Sequence, residues 1–138
     1  MANIDPSREQ FEFFKSLPRD TKIMMLNLIS LNSQAKYEDG RELSGAEAYA
    51  NYGKLSQPVF DKVGGEIMWR GSPEAVLIGP EPEHWDIAFI AVYADAGAFL
   101  QMVTDPEYQA VVFHRQAAVK DSRLIRLGET KMASDGFA

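Results

Sequence analysis

The sequence predicts one α+β domain, in which an antiparallel sheet carries helices on one face. Three observations predict it. After a short N-terminal helix, the apolar periodicity follows the order strand, helix, strand, strand, helix, strand. Capping residues and glycines mark where the predicted helices begin and end. The 138 residues are 46% apolar and 25% charged, enough for one full core. This order is the split βαβ arrangement of ferredoxin-like folds, two right-handed crossovers interleaved in one sheet.

Residues 1–21 are predicted to form a helical arm. Asp5 is typical of a helix N-cap, and Pro6 suits the first helical position. The helical apolar spacing consists of Phe11, Phe14 and Leu17. Pro18 ends the helix, and we expect the arm to cover an apolar surface of the domain or of a partner.

Two predicted strands, Lys22–Asn32 and Trp85–Tyr93, are apolar on both alternating faces. Because helices cover only one face, the other needs a cover as well. Burying several hundred Å² at roughly 25 cal/mol per Å² contributes on the order of 10 kcal/mol. A second copy of the sheet is the simplest cover, which predicts a homodimer closed into an α+β barrel. The alternative is that the N-terminal helix folds over this face.

The first core helix has clear start and stop signals. Ser44 and Glu47 fit a capping box, and Gly64-Gly65 supplies the left-handed conformation common at a helix C-terminus. Pro58 is expected to kink the helix because it removes one ladder hydrogen bond. The predicted apolar stripe is Tyr49, Tyr52, Leu55, Val59 and Phe60.

The remaining elements follow from the same signals. Glu66–Arg70 is a predicted strand, which Ala75–Ile78 continues as a bent strand or hairpin. Asp95 caps a helix, Asp105-Pro106 starts the next one, and Arg123–Leu127 is the last strand.

The core domain is thus expected over residues 22–128. Residues 129–138 have little periodicity and are predicted to be a flexible tail.

Composition excludes several classes of site. The chain has no cysteine and only two histidines, His84 and His114, without metal-binding spacing, so we expect no metal or cofactor. A net charge of −6 argues against nucleic-acid binding. There is no apolar run of about 18 residues to span a membrane. Since Met1–Arg8 lacks the apolar core of a signal peptide, the sequence predicts a cytoplasmic protein.

The chain resembles domain-of-unknown-function family 1330, within the dimeric α+β barrel superfamily, over roughly Lys22 to Gly128. The resemblance rests on Gly64-Gly65, the Trp85–Tyr93 strand, the segment Asp105-Pro106-Glu107-Tyr108-Gln109 and Arg115. The N-terminal arm is longer than the usual start of the family. Ile78 stands where the family pattern has an acidic residue.

The resemblance implies the fold and dimerisation, but no particular function, because the family is uncharacterised. The wider superfamily includes cofactor-free monooxygenases, lactone isomerases, dehydratases and stress-related proteins. Fold alone does not choose among them.

Candidate ligand-binding residues are polar groups within apolar patterns. Asn27 interrupts the first strand, and a buried amide needs hydrogen-bond partners, either a ligand or a neighbouring element. Arg115 lies on the apolar stripe of the last helix, below Tyr108. It would suit a bidentate carboxylate ligand, or else a structural ion pair with a carboxylate such as Glu66.

Three further candidates are aromatic or titratable. His84 follows a proline-rich loop and is a candidate general base at a pocket mouth, or simply an exposed loop residue. Tyr49 and Trp69 are candidates for an apolar pocket wall, with core packing as the alternative.

Two functions remain open. One is a cofactor-independent enzyme acting on a small organic acid or aromatic metabolite. The other is a non-catalytic dimeric module that binds a metabolite or a protein. The sequence has no complete catalytic motif that decides between them.

Overall fold

The computed structural model describes residues 2–129 of the chain. Its helices are α1 (Arg8–Ser16), α2 (Gly45–Lys62), α3 (Ala96–Thr104) and α4 (Pro106–Ala118), and its strands are β1 (Ile23–Leu31), β2 (Glu66–Gly71), β3 (Ile87–Tyr93) and β4 (Val119–Leu127). The strands form one antiparallel sheet in the order β2-β3-β1-β4. This is the ferredoxin-like α+β arrangement that the sequence predicts.

The sheet has one face covered by helices. On β1, the odd-numbered residues Ile23, Met25 and Ile29 are buried in clusters with residues of α2 and α4. The even-numbered residues of β1 point to the opposite face, because side chains alternate along a strand. In antiparallel pairs, directly opposed residues share a face, so the register assigns β3 and β4 side chains in the same way.

The first core helix begins and ends as predicted. The Ser44 hydroxyl accepts from the Glu47 amide at 3.0 Å, and the Glu47 carboxylate accepts from the Ser44 amide at 2.9 Å. Gly64 follows the helix with φ of +77°. The helix continues through Pro58 to Lys62. Of its predicted apolar stripe, Leu55 is exposed.

The N-terminal helix differs from the prediction at its cap. Ser7, not Asp5, is the N-cap, and it forms a capping box with Gln10. The Asp5 carboxylate instead accepts from the Gln116 amide at 3.3 Å.

This helix packs on the helix-covered side of the sheet. The rings of Phe14 and Phe99 lie 5.1 Å apart, and Phe14 packs against the main core cluster. The alternative in which the N-terminal helix covers the opposite face is therefore wrong.

The segment between β2 and β3 contains no helix or strand. The prediction that Ala75–Ile78 continues the strand is wrong. Leu77 and Ile78 are 94% and 92% exposed instead. The reason is pairing: β2 ends at Gly71, opposite Ala88 near the start of β3, so no strand lies beside the segment.

The last strand is longer than predicted, because it begins at Val119. The polar residues Lys120, Asp121 and Ser122 follow Val119, and the pairing with β1 is irregular at Ser30/Leu31, which breaks the simple alternation.

The predicted C-terminal tail, apart from Glu129, lies outside the described residues. None of the helices between residues 2 and 129 is long and apolar enough to cross a membrane.

Candidate functional site

The helix-covered side of the sheet is incompletely covered along β4. Leu124 pairs with Asn27, and Arg126 pairs with the buried Met25, so all four side chains share this side. Leu124 is nevertheless 43% exposed, and Asn27 is only partly buried. The helices thus leave part of the sheet open here. We call the region formed by Asn27, Ser122, Leu124 and Arg126 the β4 cleft.

Arg115, in the last turn of α4, lies at one end of the cleft. Its Nη2 donates to the Ser122 hydroxyl at 3.2 Å, and its Nη1 donates to the Ile4 carbonyl. The alternative ion pair between Arg115 and Glu66 does not form, because Glu66 is exposed on β2, the edge strand farthest from β4. No carboxylate of the described residues lies within 4.0 Å of the Arg115 guanidinium, so its charge is not compensated by an ion pair.

Arg126 lies at the other end of the cleft. Its Nη2 donates to the Pro18 carbonyl at 2.6 Å, and its guanidinium lies 5.0 Å from the Phe14 ring centroid. Its Nη1 is buried and has no hydrogen-bond partner among residues 2–129. Like Arg115, it has no ion pair with a described carboxylate. A buried charged donor without a partner is costly, and a ligand or water normally satisfies it.

A group of tyrosines lies near Arg115. The hydroxyls of Tyr52 on α2 and Tyr108 on α4 are 2.8 Å apart, and the rings of Tyr49 and Tyr52 are 5.5 Å apart. Burial raises the pKa of Tyr49 to about 12 and the pKa of Tyr52 and Tyr108 above the ordinary value, while the Arg115 charge partly opposes each rise. All three phenols are therefore neutral at neutral pH.

The pair of hydroxyls has one proton to spare. A hydrogen bond between Tyr52 and Tyr108 uses one O–H as the donor, and the other O–H has no acceptor among the described side chains. Neutral phenols are donors of this kind to a ligand oxygen.

Asn27 contributes an amide to the floor of the cleft. Its Nδ2 donates to the Met25 carbonyl at 3.1 Å. Its Oδ1 makes no hydrogen bond to another described residue, which leaves an acceptor on the floor.

The structure separates the sequence-predicted candidates into two groups. Asn27, Tyr49, Tyr108 and Arg115 lie on the helix-covered side. Trp69 lies opposite Ile90 on the other side and is 54% exposed. His84 lies in the segment between β2 and β3, away from the cleft. His114 is buried, with its Nδ1 2.6 Å from the Tyr37 hydroxyl, and burial lowers its pKa.

Sequence reasoning missed Arg126. It lies in the predicted last strand, whose short alternation hardly shows which residues face the helices. Only pairing with Met25 places it on the same side as Arg115.

The opposite face of the sheet is largely apolar, and no helix of residues 2–129 lies over it. Eight of its residues lie on β1, β3 and β4: Met24, Leu26, Leu28, Ala88, Ile90, Val92, Ile125 and Leu127. Among these eight, the two on β4 are the most open, with Ile125 45% and Leu127 37% exposed, and Trp69 of β2 lies on the same face. Large apolar patches of this kind mark interaction surfaces.

A family model described as Domain of unknown function (DUF1330) matches residues 41–127. The methylated RPA0582 protein is 51% identical to this chain, with a TM-score of 0.92 over 96% of this chain and 98% of that one. A second crystal structure of RPA0582, described as a protein of unknown function from Rhodopseudomonas palustris, is also 51% identical, with a TM-score of 0.90 over 95% and 99% of the two chains. No protein with a curated description matches the chain.

More distant structures share the fold. A dimeric protein of unknown function and ferredoxin-like fold from Bacteroides fragilis is 12% identical, with a TM-score of 0.51 over 81% of this chain and 100% of that one. SnoaB from Streptomyces nogalater, a cofactor-independent oxygenase, is 13% identical, with a TM-score of 0.50 over 82% and 99% of the two chains. At such identities the likeness shows the ferredoxin-like fold alone.

Proposed function

The chain belongs to the family described as a domain of unknown function (DUF1330), and within that family we propose that it is a homodimeric, cofactor-independent enzyme that acts on a small organic acid. The substrate carboxylate is held in the β4 cleft. One observation carries this proposal: Arg115 and Arg126 lie at the two ends of the cleft, and neither is paired with a carboxylate of the described residues.

The charge balance makes this observation specific. The chain has 20 acidic and 14 basic residues, so carboxylates are in excess. A partly buried guanidinium without an ion pair is therefore unexpected, and two at one cleft favour an anionic ligand. The planar guanidinium suits a carboxylate because it donates two parallel hydrogen bonds. Hydrogen bonds to charged groups contribute about 1.5–3 kcal/mol each.

The neighbouring groups favour an acid with a carbonyl oxygen next to its carboxylate. The spare phenol proton of the Tyr52–Tyr108 pair is a donor for that oxygen. Such a hydrogen bond strengthens as negative charge develops on the oxygen, so it stabilises the enolate that forms when a solvent base removes the proton from the carbon next to the carbonyl. Because their pKa is raised, the phenols act here as donors and not as proton acceptors.

The arm completes the cleft in this proposal. Residues 1–21 supply the Ile4 and Pro18 carbonyls that accept hydrogen bonds from the two arginines. We propose that the arm orients both guanidiniums towards the ligand and acts as a unit distinct from the core domain. A cytoplasmic location stays a prediction of the sequence.

The uncovered apolar face supports the homodimer. With α1 on the opposite side, no helix of residues 2–129 covers this face. A stable interface buries about 800 Å² on each partner, and the eight apolar residues of this face would form the centre of such an interface. In a two-fold symmetric dimer, each copy would cover this face of the other copy.

The second candidate, a non-catalytic binding module, is favoured by the polarity of the cleft. Its arginines and the spare phenol proton are donors to a ligand, and the unused Asn27 Oδ1 is an acceptor. These groups could bind and polarise a ligand without converting it.

Phenylpyruvate is a suitable probe, because it combines a carboxylate, a carbonyl and an aromatic ring. Calorimetry measures its binding, and proton NMR in D₂O measures deuterium exchange at its methylene group. We expect saturable binding that weakens roughly tenfold or more in Arg115→Met. Arg8→Met, which removes an exposed arginine of α1, should bind as the wild type does.

The two measurements separate the candidates. Exchange above the uncatalysed rate, lost in Arg115→Met and Tyr108→Phe, supports the enzyme. Binding without exchange supports the module. If Arg115→Met and Arg115→Lys both fold and both bind like the wild type, the β4 cleft is not the carboxylate site.

A further inference from the structure

The segment between β2 and β3 carries an apolar tip, which consists of Val76, Leu77 and Ile78. Leu77 is 94% and Ile78 is 92% exposed. Single apolar residues are common on protein surfaces, but adjacent large aliphatic side chains in nearly full contact with water are unfavourable. The exposure of the apolar tip therefore indicates a surface that a partner buries.

The base of this segment is fixed to the sheet. Trp85 is buried, and the Arg123 guanidinium lies 5.1 Å from its ring centroid. The Glu83 carboxylate lies 3.9 Å from the same guanidinium. Closer to the tip, the Glu83 amide donates to the Pro80 carbonyl at 3.1 Å. Because the segment is already held in place, a partner that binds the tip has little conformational freedom to remove.

The base of the segment lies on the uncovered face of the sheet. Arg123 is paired with Leu28, which is one of the apolar residues of that face. Residues 82–85 line a cavity of about 140 Å³ together with Ser30, an even-numbered residue of β1. At this end the face is already shielded, since Ser30 and Ala88 are each only 8% exposed.

The opposite end of the same face is open. Ile125 is 45% and Leu127 is 37% exposed. Leu127 pairs with Met24 at the start of β1, whereas Ser30, beside the base of the segment, lies near the end of β1. The face thus has an exposed apolar tip near one end and an exposed apolar surface at the other.

A second copy of the chain is the partner that fits this arrangement. A stable interface involves about 20–30 residues on each side, and the apolar face supplies eight of them on β1, β3 and β4. The apolar tip belongs to a segment based on the same face, so it adds large apolar side chains to that interface.

We propose that the apolar tip of each copy packs on Ile125 and Leu127 of the partner subunit. This inference rests on the homodimer of the proposed function. A two-fold axis that lies between the two sheets and runs across the strands brings the tip end of each copy over the open end of the other. An axis along the strands would instead bring both tips to the same end, where they would hold the two faces apart.

Leu77→Ala tests this contact by sedimentation equilibrium over a range of protein concentrations. Leu77 has about twice as large an exposed fraction to bury as Ile125, and two-fold symmetry repeats the contact. We expect the dissociation constant to rise roughly 100-fold. Leu55→Ala, which truncates a leucine exposed on α2, should leave it unchanged within about twofold. Circular dichroism spectra check that both variants fold.

A double-mutant cycle identifies the surface that the tip contacts. If Leu77 packs on Leu127, then Leu77→Ala and Leu127→Ala remove the same contact. The dissociation constant of the double variant should then be roughly tenfold lower than the product of the two separate effects predicts. The effects of Leu77→Ala and Leu55→Ala, by contrast, should multiply.

Three outcomes overturn the inference. They are an unchanged dissociation constant in Leu77→Ala, equal effects of Leu77→Ala and Leu55→Ala, and effects of Leu77→Ala and Leu127→Ala that multiply. The first would leave the tip to a partner other than this chain. If Ile125→Ala still weakens the dimer in any of these cases, the homodimer of the proposed function stands without the tip contact. A wild type that is monomeric at every concentration overturns both.

Discussion

Replacing Ile125 by alanine tests the homodimer. Ile125 lies on the uncovered face and is 45% exposed. Full burial of an isoleucine side chain contributes about 1.5–3 kcal/mol, and roughly half of this is still to be gained in the dimer. The loss is therefore about 1 kcal/mol for each copy. Two-fold symmetry doubles it to about 2 kcal/mol, which raises the dissociation constant roughly 30-fold.

Leu124→Ala is the matched control. Leu124 is the neighbour of Ile125 on β4 and is 43% exposed, but it faces the β4 cleft. Its truncation should leave the dissociation constant unchanged within about twofold. Sedimentation equilibrium over a range of protein concentrations measures both values, and urea unfolding checks that both variants fold.

The dimer reasoning fails if the wild type is monomeric at every concentration. It fails equally if the two alanine variants shift the dissociation constant by the same factor, since the uncovered face would then have no special role.

Two predictions concern stability. Gly45→Ala should destabilise the fold strongly, because its Cβ would lie 1.9 Å from the Asn32 carbonyl oxygen. In the same helix, the Cβ of Gly53→Ala would meet no atom within 4 Å, so this variant should stabilise the fold by about 0.5–1 kcal/mol. Urea unfolding of both variants checks this, and equal effects would contradict it. Burial raises the pKa of Tyr49 from 10.0 to about 12, so the phenol of the unfolded chain loses its proton at a lower pH than that of the folded chain. The free energy of unfolding therefore keeps its full value below pH 10 and decreases as the pH rises to about 12. Urea midpoints across this range should fall less steeply in Tyr49→Phe, and identical slopes would refute the assignment.

Local signals in the sequence predicted the helix termini well. The capping box of Ser44 and Glu47 and the left-handed Gly64 depend on hydrogen bonds and backbone angles within a few residues, so the sequence reveals them directly. Asp5 was the wrong N-cap because two capping residues stand near each other, and only Ser7 has a glutamine three residues later.

Pairing partners are not visible in the sequence. The apolar run Val76–Ile78 has the composition of a strand, but a strand needs a neighbour, and the short β2–β3 pairing ends before it. The apolar pattern likewise showed that both sheet faces need cover, without showing on which side α1 packs.

By itself, the sequence determined the element order, the α+β class and four of the residues near the candidate site, Asn27, Tyr49, Tyr108 and Arg115. These are polar or aromatic groups at positions where the periodicity demands burial, which is a local property of the chain. The tertiary structure alone decided which distant residues join them. Strand register brings Arg126 and Leu124 beside Asn27, and long-range contacts place α1 near Arg126 and His84 near Ser30. Such contacts depend on how elements pair and pack, and no pattern within one element specifies them.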